Sequence, residues 1–217
     1  MFVTPHSTTP DQAIRWLKEG NARFTKGQSI HQPFDEARLA AAADGQRPFA
    51  AVVSCSDSRC PVEILFDQSL GDLFVVRAAG NVCGPDQIGS IDFAVDALQT
   101  PAVVVLGHSL CGAVSAALQP ARPLGHLGNL LARIQPAVDA AKTAHPQLPD
   151  ADLVSHAIRA NVWQAVSDLI HNSPLTRERL ADARLTVVGA LYDVATGQVE
   201  WLGPHPHQNK WLNRLSQ

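Results

Sequence analysis

The chain of 217 residues carries a formal net charge of −3, is 46% hydrophobic and only 17% charged. That balance excludes a disordered chain and supplies no basic footprint for nucleic acid or an anionic membrane. Its longest apolar runs, such as "PAVVVLG", fall far short of the ~20 residues that span a bilayer.

The opening stretch "MFVTPHSTTP" has neither the basic nor the apolar segment of a secretory signal, so a cytoplasmic protein is expected. Cys55, Cys60, Cys83 and Cys111 are then expected to be reduced, free to ligate metal or fill core space rather than pair as disulfides.

Thr9-Pro10-Asp11 is a helix-start signal, and Ala13, Ile14, Trp16, Leu17 and Phe24 lie mainly along one face of the helix that follows. This N-terminal helical arm, over about residues 8–30, either packs on its own domain or embraces a partner subunit. "FAAVVSC" reads as a buried strand, "PVEILFDQ" as a helical turn and "DLFVVRAAG" as a second strand. "IGSIDFAVDALQ" is helical, with Ile88, Ile91, Val95 and Leu98 spaced by threes and fours. "PAVVVLGH" is a third strand and "CGAVSAAL" starts another helix. Helical patterns follow from about residue 127 to 144 and from 152 to 172. "LTVVGALYDV" and "GQVEWL" then flank a turn at Ala195-Thr196-Gly197. Continuous β-branched runs indicate strands covered on both faces. The expected architecture is a single α/β domain over 1–217. It has a central, mainly parallel sheet of four to five strands flanked by helices, and a core over about 46–202.

Functional groups in such a sheet collect beyond the carboxyl ends of the strands. Cys55 and His108 stand at two such ends, and Cys111 opens the next helix. Two thiolates and an imidazole suit zinc in tetrahedral geometry, and three protein ligands leave a fourth position, the mark of a catalytic site. A water there would have its pKa lowered toward ~7, somewhat less far because two thiolates donate more charge than imidazoles. The helix start at Cys111 favours its thiolate. Asp57 and Arg59 lie close enough to face the same crevice. An aspartate held by arginine stays ionised and can orient the zinc-bound nucleophile; alternatively it can swing onto zinc and switch the site off.

"CSDSR" at 55–59 and "GHSLCG" at 107–112, in this order and separation, resemble the two signature motifs of the β-class carbonic anhydrases, in their plant-like, type I-like subgroup. The similarity runs from "GNARF" to "YDVATG", nearly the whole chain. The resemblance implies zinc on Cys55, His108 and Cys111, with Asp57 and Arg59 as a catalytic dyad. It also implies reversible hydration of carbon dioxide to bicarbonate and a proton by zinc-hydroxide attack. By position, Gln46 matches a substrate hydrogen-bond donor, Phe74 and Phe93 an aromatic pocket lining, Ala79 a small aliphatic neighbour and Gly112 a bordering glycine. In relatives the pocket lies at a dimer interface, so a homodimer or homotetramer is implied. Members gated by a non-catalytic bicarbonate use a tryptophan, an arginine and a tyrosine. Arg77 and Tyr192 resemble the last two, but Val52 stands at the tryptophan position. The open form, with water on zinc at neutral pH, is therefore expected.

Cys60 and Cys83 are expected to pack as small apolar groups, and His205 and His207 in "GPHPHQ" to lie in a solvated tail. Arg77 is read either as an interface charge or as an anion-binding group. Rival functions are hydrolysis of carbon disulfide or carbonyl sulfide on the same scaffold, a non-catalytic zinc-binding assembly protein, and a zinc-thiol redox switch.

Overall fold

The computed structural model describes residues 8–30, 35–119 and 125–215, and His6 and His31 lie outside them. Among the described residues, five strands form one sheet in the order β2-β1-β3-β4-β5. They are β1 (Ala50–Ser54), β2 (Leu73–Arg77), β3 (Ala102–His108), β4 (Thr186–Tyr192) and β5 (Val199–Gly203). The first four run parallel, and β5 returns antiparallel to β4, as the 195–197 turn predicts. Strands β1 and β3 are buried along their whole length, so their apolar runs show no alternation in the sequence.

The alternation exists nonetheless, between the two faces of the sheet. Ala51, Val53, Val103, Val105 and Val187 point to one side, against Ile88, Ile91 and Val95 of α4 (Pro85–Asp96) and Val162, Val166 and Leu169 of α7 (Asp150–Asn172). Ala50, Val52, Val104, Leu106 and Ala190 point to the other side, against Phe49, Phe66 and two residues of α1 (Pro10–Thr25). Those two, Ala13 and Leu17, have no solvent exposure, so the N-terminal arm packs on its own domain. Thr9 and Gln12 cap α1 reciprocally. Asn21 ties the arm to the β4–β5 turn by donating to the Gly197 carbonyl at 2.9 Å and accepting from the Val199 amide at 3.0 Å.

The remaining helices are α2 (Glu36–Ala43), α3 (Val62–Leu65), α5 (Gly112–Leu118), α6 (Leu127–Ala144), α8 (Pro174–Ala181) and α9 (Gln208–Leu215). Helix α7 starts two residues earlier than its apolar pattern, with Asp150 and Asp152 in its first turn, where carboxylates face the positive end of the helix dipole. It also lies unusually close to the sheet. A Cβ at Gly107 would sit 2.5 Å from Val162 Cγ2, and one at Gly189 would sit 2.9 Å from Val162 and Trp163. Among the described residues no helix is long and apolar enough to cross a membrane.

The solvated tail expected at His205 is corrected by the structure. His205 stacks on Trp211 of α9, with ring centroids 4.2 Å apart, and meets Trp163 of α7 edge-on at 5.2 Å. Aromatic burial outweighs the polar composition of the segment. His207 remains exposed.

Candidate metal centre

Parallel pairing in register places the ends of β1 and β3 side by side: Ser54 lies opposite Leu106, so Cys55 and His108 emerge next to each other. The chain then turns through Leu110, whose φ is +58°, and brings Cys111 in as the N-cap of α5. The ligand atoms of Cys55, His108 and Cys111 all lie within 4.8 Å of one another, and all three residues are buried. His108 Nδ1 is 2.9 Å from the Ser109 carbonyl, which fixes the other ring nitrogen as the free one. That atom, Nε2, is buried without a hydrogen-bond partner. An orphaned buried nitrogen beside two sulfurs fits a metal ion, which supplies the missing partner.

The electrostatics of the cluster agree. Hydrogen bonding with Cys111 draws the Cys55 thiol down to about 4 against the cost of burial, and the amides of Asp57 and Gly80 assist. The Cys55 sulfur and burial together push Cys111 upward. Burial alone would lower His108, but the sulfurs of Cys55 and Cys60 raise it to about 10. Donors crowded in this way compete for protons until a cation neutralises them.

Asp57 and Arg59 form a two-pronged ion pair. Arg59 Nε donates to Oδ1 at 2.9 Å and Nη2 to Oδ2 at 2.7 Å, while the Arg59 amide adds a third bond to Oδ1. Hydrogen bonding from Arg59 holds the Asp57 carboxyl well below the usual carboxylate range. Arg59 Nη2 also reaches the Leu110 carbonyl at 3.1 Å, which locks the dyad to the loop between the other two ligands. Asp57 Oδ2 lies 3.9 Å from His108 Nε2, at the edge of the ligand cluster.

Three supporting residues were not assigned these roles from sequence. Arg77 donates to the carbonyls of Cys55 at 3.0 Å and Asp57 at 2.7 Å, so it braces the ligand loop. Ser109 Oγ accepts from the Val194 amide at 2.9 Å and ties the 108–111 turn to the end of β4. Gly80, in a single 3-10 turn over Ala79–Asn81, donates its amide to Cys55 Sγ at 3.2 Å. Gly80 has φ +67°, where a side chain is strained, and a Cβ there would lie 2.6 Å from Ile134 Cδ1, so the position favours glycine.

The expected pocket residues divide. Ala79 precedes Gly80, whose amide reaches the Cys55 sulfur, and Gly112 follows Cys111 at the start of α5. Gln46 lies before the amino end of β1 and lines a surface cleft of about 640 Å³ with Glu63, Leu70 and Leu73. Phe74 on β2 and Phe93 on α4 pair with ring centroids 6.2 Å apart, and Phe93 is 52% exposed. Phe74 lies opposite Ala51, near the amino end of the sheet. Val52 is buried within β1, and Tyr192, at the end of β4, lies opposite His108 with its phenol pushed upward by burial. Cys60 and Cys83 are buried, as expected. Burial raises the Cys83 thiol to about 12, with Asp168 and Asp92 adding to it. Cys60 lies close enough to His108 to raise its basicity, which its position outside the motifs does not reveal.

A mainly parallel α/β sheet whose carboxyl edge carries a two-cysteine, one-histidine cluster able to hold a metal ion defines the class of fold and site. The family model for carbonic anhydrase matches residues 50–199. A carbonic anhydrase of Mycolicibacterium smegmatis is 39% identical over 198 residues, covering 89% of this chain and 94% of the relative. Carbonic anhydrase 2 of Mycobacterium tuberculosis is 38% identical over 196 residues, covering 88% and 92%. A β-carbonic anhydrase structure from Aspergillus fumigatus superposes with a TM-score of 0.74 at 28% identity, covering 94% of this chain and 97% of that one. One described as a tetrameric β-carbonic anhydrase, from Sordaria macrospora, gives 0.68 at 27% identity, covering 88% and 96%. The chain belongs to the β class of the carbonic anhydrase family, and with it to the carbonate dehydratases.

Proposed function

We propose that the protein catalyses the reversible hydration of carbon dioxide to bicarbonate and a proton, with zinc held by Cys55, His108 and Cys111. The observation that carries this reading is the intact Asp57–Arg59 pair beside a buried three-donor cluster. Bound there, zinc supplies the Lewis acidity that makes water a nucleophile at neutral pH. The protein's own groups do the rest. Arg59 keeps Asp57 ionised and acceptor-only, so Asp57 Oδ2 can accept a hydrogen bond from the attacking water and aim its lone pair at carbon. Arg77 and Ser109 hold the two ligand loops still. Both Asp57 oxygens are engaged by Arg59, which supports the open form. Arg77 is engaged with two backbone carbonyls, which together with Val52 speaks against a bicarbonate gate of the tryptophan type.

The functional unit is a homodimer or homotetramer of plant-like organisation. Gln46 is separated from its own Cys55 by the whole of β1, a five-residue strand of about 16 Å. It therefore reaches a metal centre only on a second copy, and the exposed Phe93 beside Phe74 offers apolar surface for that contact. Four free, buried cysteines support a reducing compartment, the cytoplasm.

Stopped-flow hydration of carbon dioxide, with zinc measured on the same sample, tests the proposal. Activity is expected to scale with zinc content and to exceed hydrogen sulfide release from carbon disulfide or carbonyl sulfide. Fully zinc-bound protein that gives no hydration above buffer across pH 6–9 would refute it.

A further inference from the structure

The two sulfurs of the centre stand on different kinds of backbone. Cys111 is the N-cap of α5, and its side chain makes no capping hydrogen bond there. Cys55 follows a strand and has no helix behind it. Its donors are the amides of Asp57 at 3.4 Å and Gly80 at 3.2 Å. Both belong to irregular backbone that must be held from outside.

Arg77 holds the first of these segments. The second is held by Asn161, which is 2% exposed on α7. Its Nδ2 donates to the Gly80 carbonyl at 2.7 Å. Asn161 stands on the apolar stripe of α7 with Ala157, Ile158, Val162 and Ala165, where a polar side chain is costly without a partner. Its amide is used on a residue in the left-handed region (φ +67°, ψ +20°) whose own N–H serves the ligand. One glycine thus joins a buried helix donor to the sulfur through its two backbone polar groups.

We propose that Asn161 is a positioning residue for the metal centre. By fixing the Gly80 carbonyl it aims the Gly80 amide at the Cys55 sulfur, and that hydrogen bond tempers the charge the thiolate gives to the ion. The proposal rests on the zinc reading above and adds a residue outside both signature motifs. Outer partners of this kind set metal affinity by about 10–100-fold.

The test compares Asn161→Leu and Asn161→Asp with Leu169→Ala. Asn161→Asp keeps the shape but removes the N–H donor, and remains informative if Asn161→Leu fails to fold. Leu169 is a fully buried core residue of the same helix, so its truncation reports on stability alone. Zinc affinity is measured by competition with a chromophoric chelator, and the sulfur-to-metal charge-transfer band is recorded on cobalt(II)-substituted protein. The Asn161 variants are expected to bind zinc about 10–100-fold more weakly, because the segment that positions the Cys55 sulfur is no longer held for the ion. Their cobalt band should move to longer wavelength, because a sulfur without its hydrogen bond gives up electrons more readily. Leu169→Ala should lower the melting temperature and leave both readouts unchanged. Wild-type affinity and an unshifted band in the Asn161 variants would overturn the proposal and leave the zinc reading intact. Equal shifts in Leu169→Ala would overturn it as well. Failure of the wild-type chain to bind either metal would instead overturn the zinc reading and the proposal with it.

Discussion

At the carboxyl end of β1, Cys55, Asp57 and Arg59 meet His108 and Cys111 within a single chain, every group within reach of the next. At its amino end, Gln46 faces a cleft that contains none of them, and the Phe74–Phe93 pair lies on a face partly open to solvent. The first region is complete by itself because two adjacent parallel strands deliver its ligands in register. On the proposed reading, the second acquires a role when another copy supplies the other half. Chemistry is then assigned to one chain, and substrate placement to two.

The largest effect belongs to the first region. Cys55→Ser removes a soft ligand, and zinc content and hydration should both fall to background when measured on one preparation. Next comes Asp57→Asn, which keeps shape and zinc but weakens the grip on the attacking water. Hydration should drop about 10²–10⁴-fold with zinc unchanged, and loss of zinc in this variant would make Asp57 a structural residue instead. Because Arg59 holds Asp57 below the ordinary carboxylate range, its protonation should leave no inflection in the wild-type rate profile between pH 6 and 9.

The second region is sharpened by mixing defects. Gln46→Ala alone should cost about 10²-fold, as expected for one lost oxyanion donor. Co-assembled with Cys55→Ser chains, the Gln46→Ala chains keep their ligands and borrow glutamine from the partner, so hybrid dimers should regain one working site each. No recovery in purified hybrids would place Gln46 and its metal centre in the same chain and break the comparison.

The smallest expected effect lies away from both regions. Burial first, then His207 and His171, hold the His205 ring down to about 4. The unfolded chain therefore binds this proton more readily, since a free imidazole titrates near ~6.5. The stability due to neutral His205 is complete above that value and is lost as pH falls toward 4. Denaturation midpoints followed by tryptophan emission between pH 7 and 4 should decline less steeply in His205→Phe than in the parent chain.

The sheet and the ligand triad were legible because long β-branched runs end in residues whose chemistry has few other uses. Helices α6 and α7 were legible from their apolar period. What escaped depended on tertiary contact. Arg77 reads as an interface charge or an anion-binding group until its fork is seen on two carbonyls. Asn161 carried a faint signal, an amide on an otherwise apolar stripe, but its target lies 81 residues away. The capping residues Asp35 and Ser173 of α2 and α8 were available locally and went unread. Helix α9 was masked by a segment whose prolines and histidines resemble a tail. Pocket residues placed by family resemblance could not reveal that one chain keeps them apart.

The glycine at 107 lets Val162 rest directly on main chain one residue before His108. A helix seated there without intervening side chains leaves little slack for breathing between strands. Deuterium should therefore enter the β3–β4 amides around Gly107 among the last of the described residues. The imidazole would then sit on some of the stiffest backbone the fold possesses.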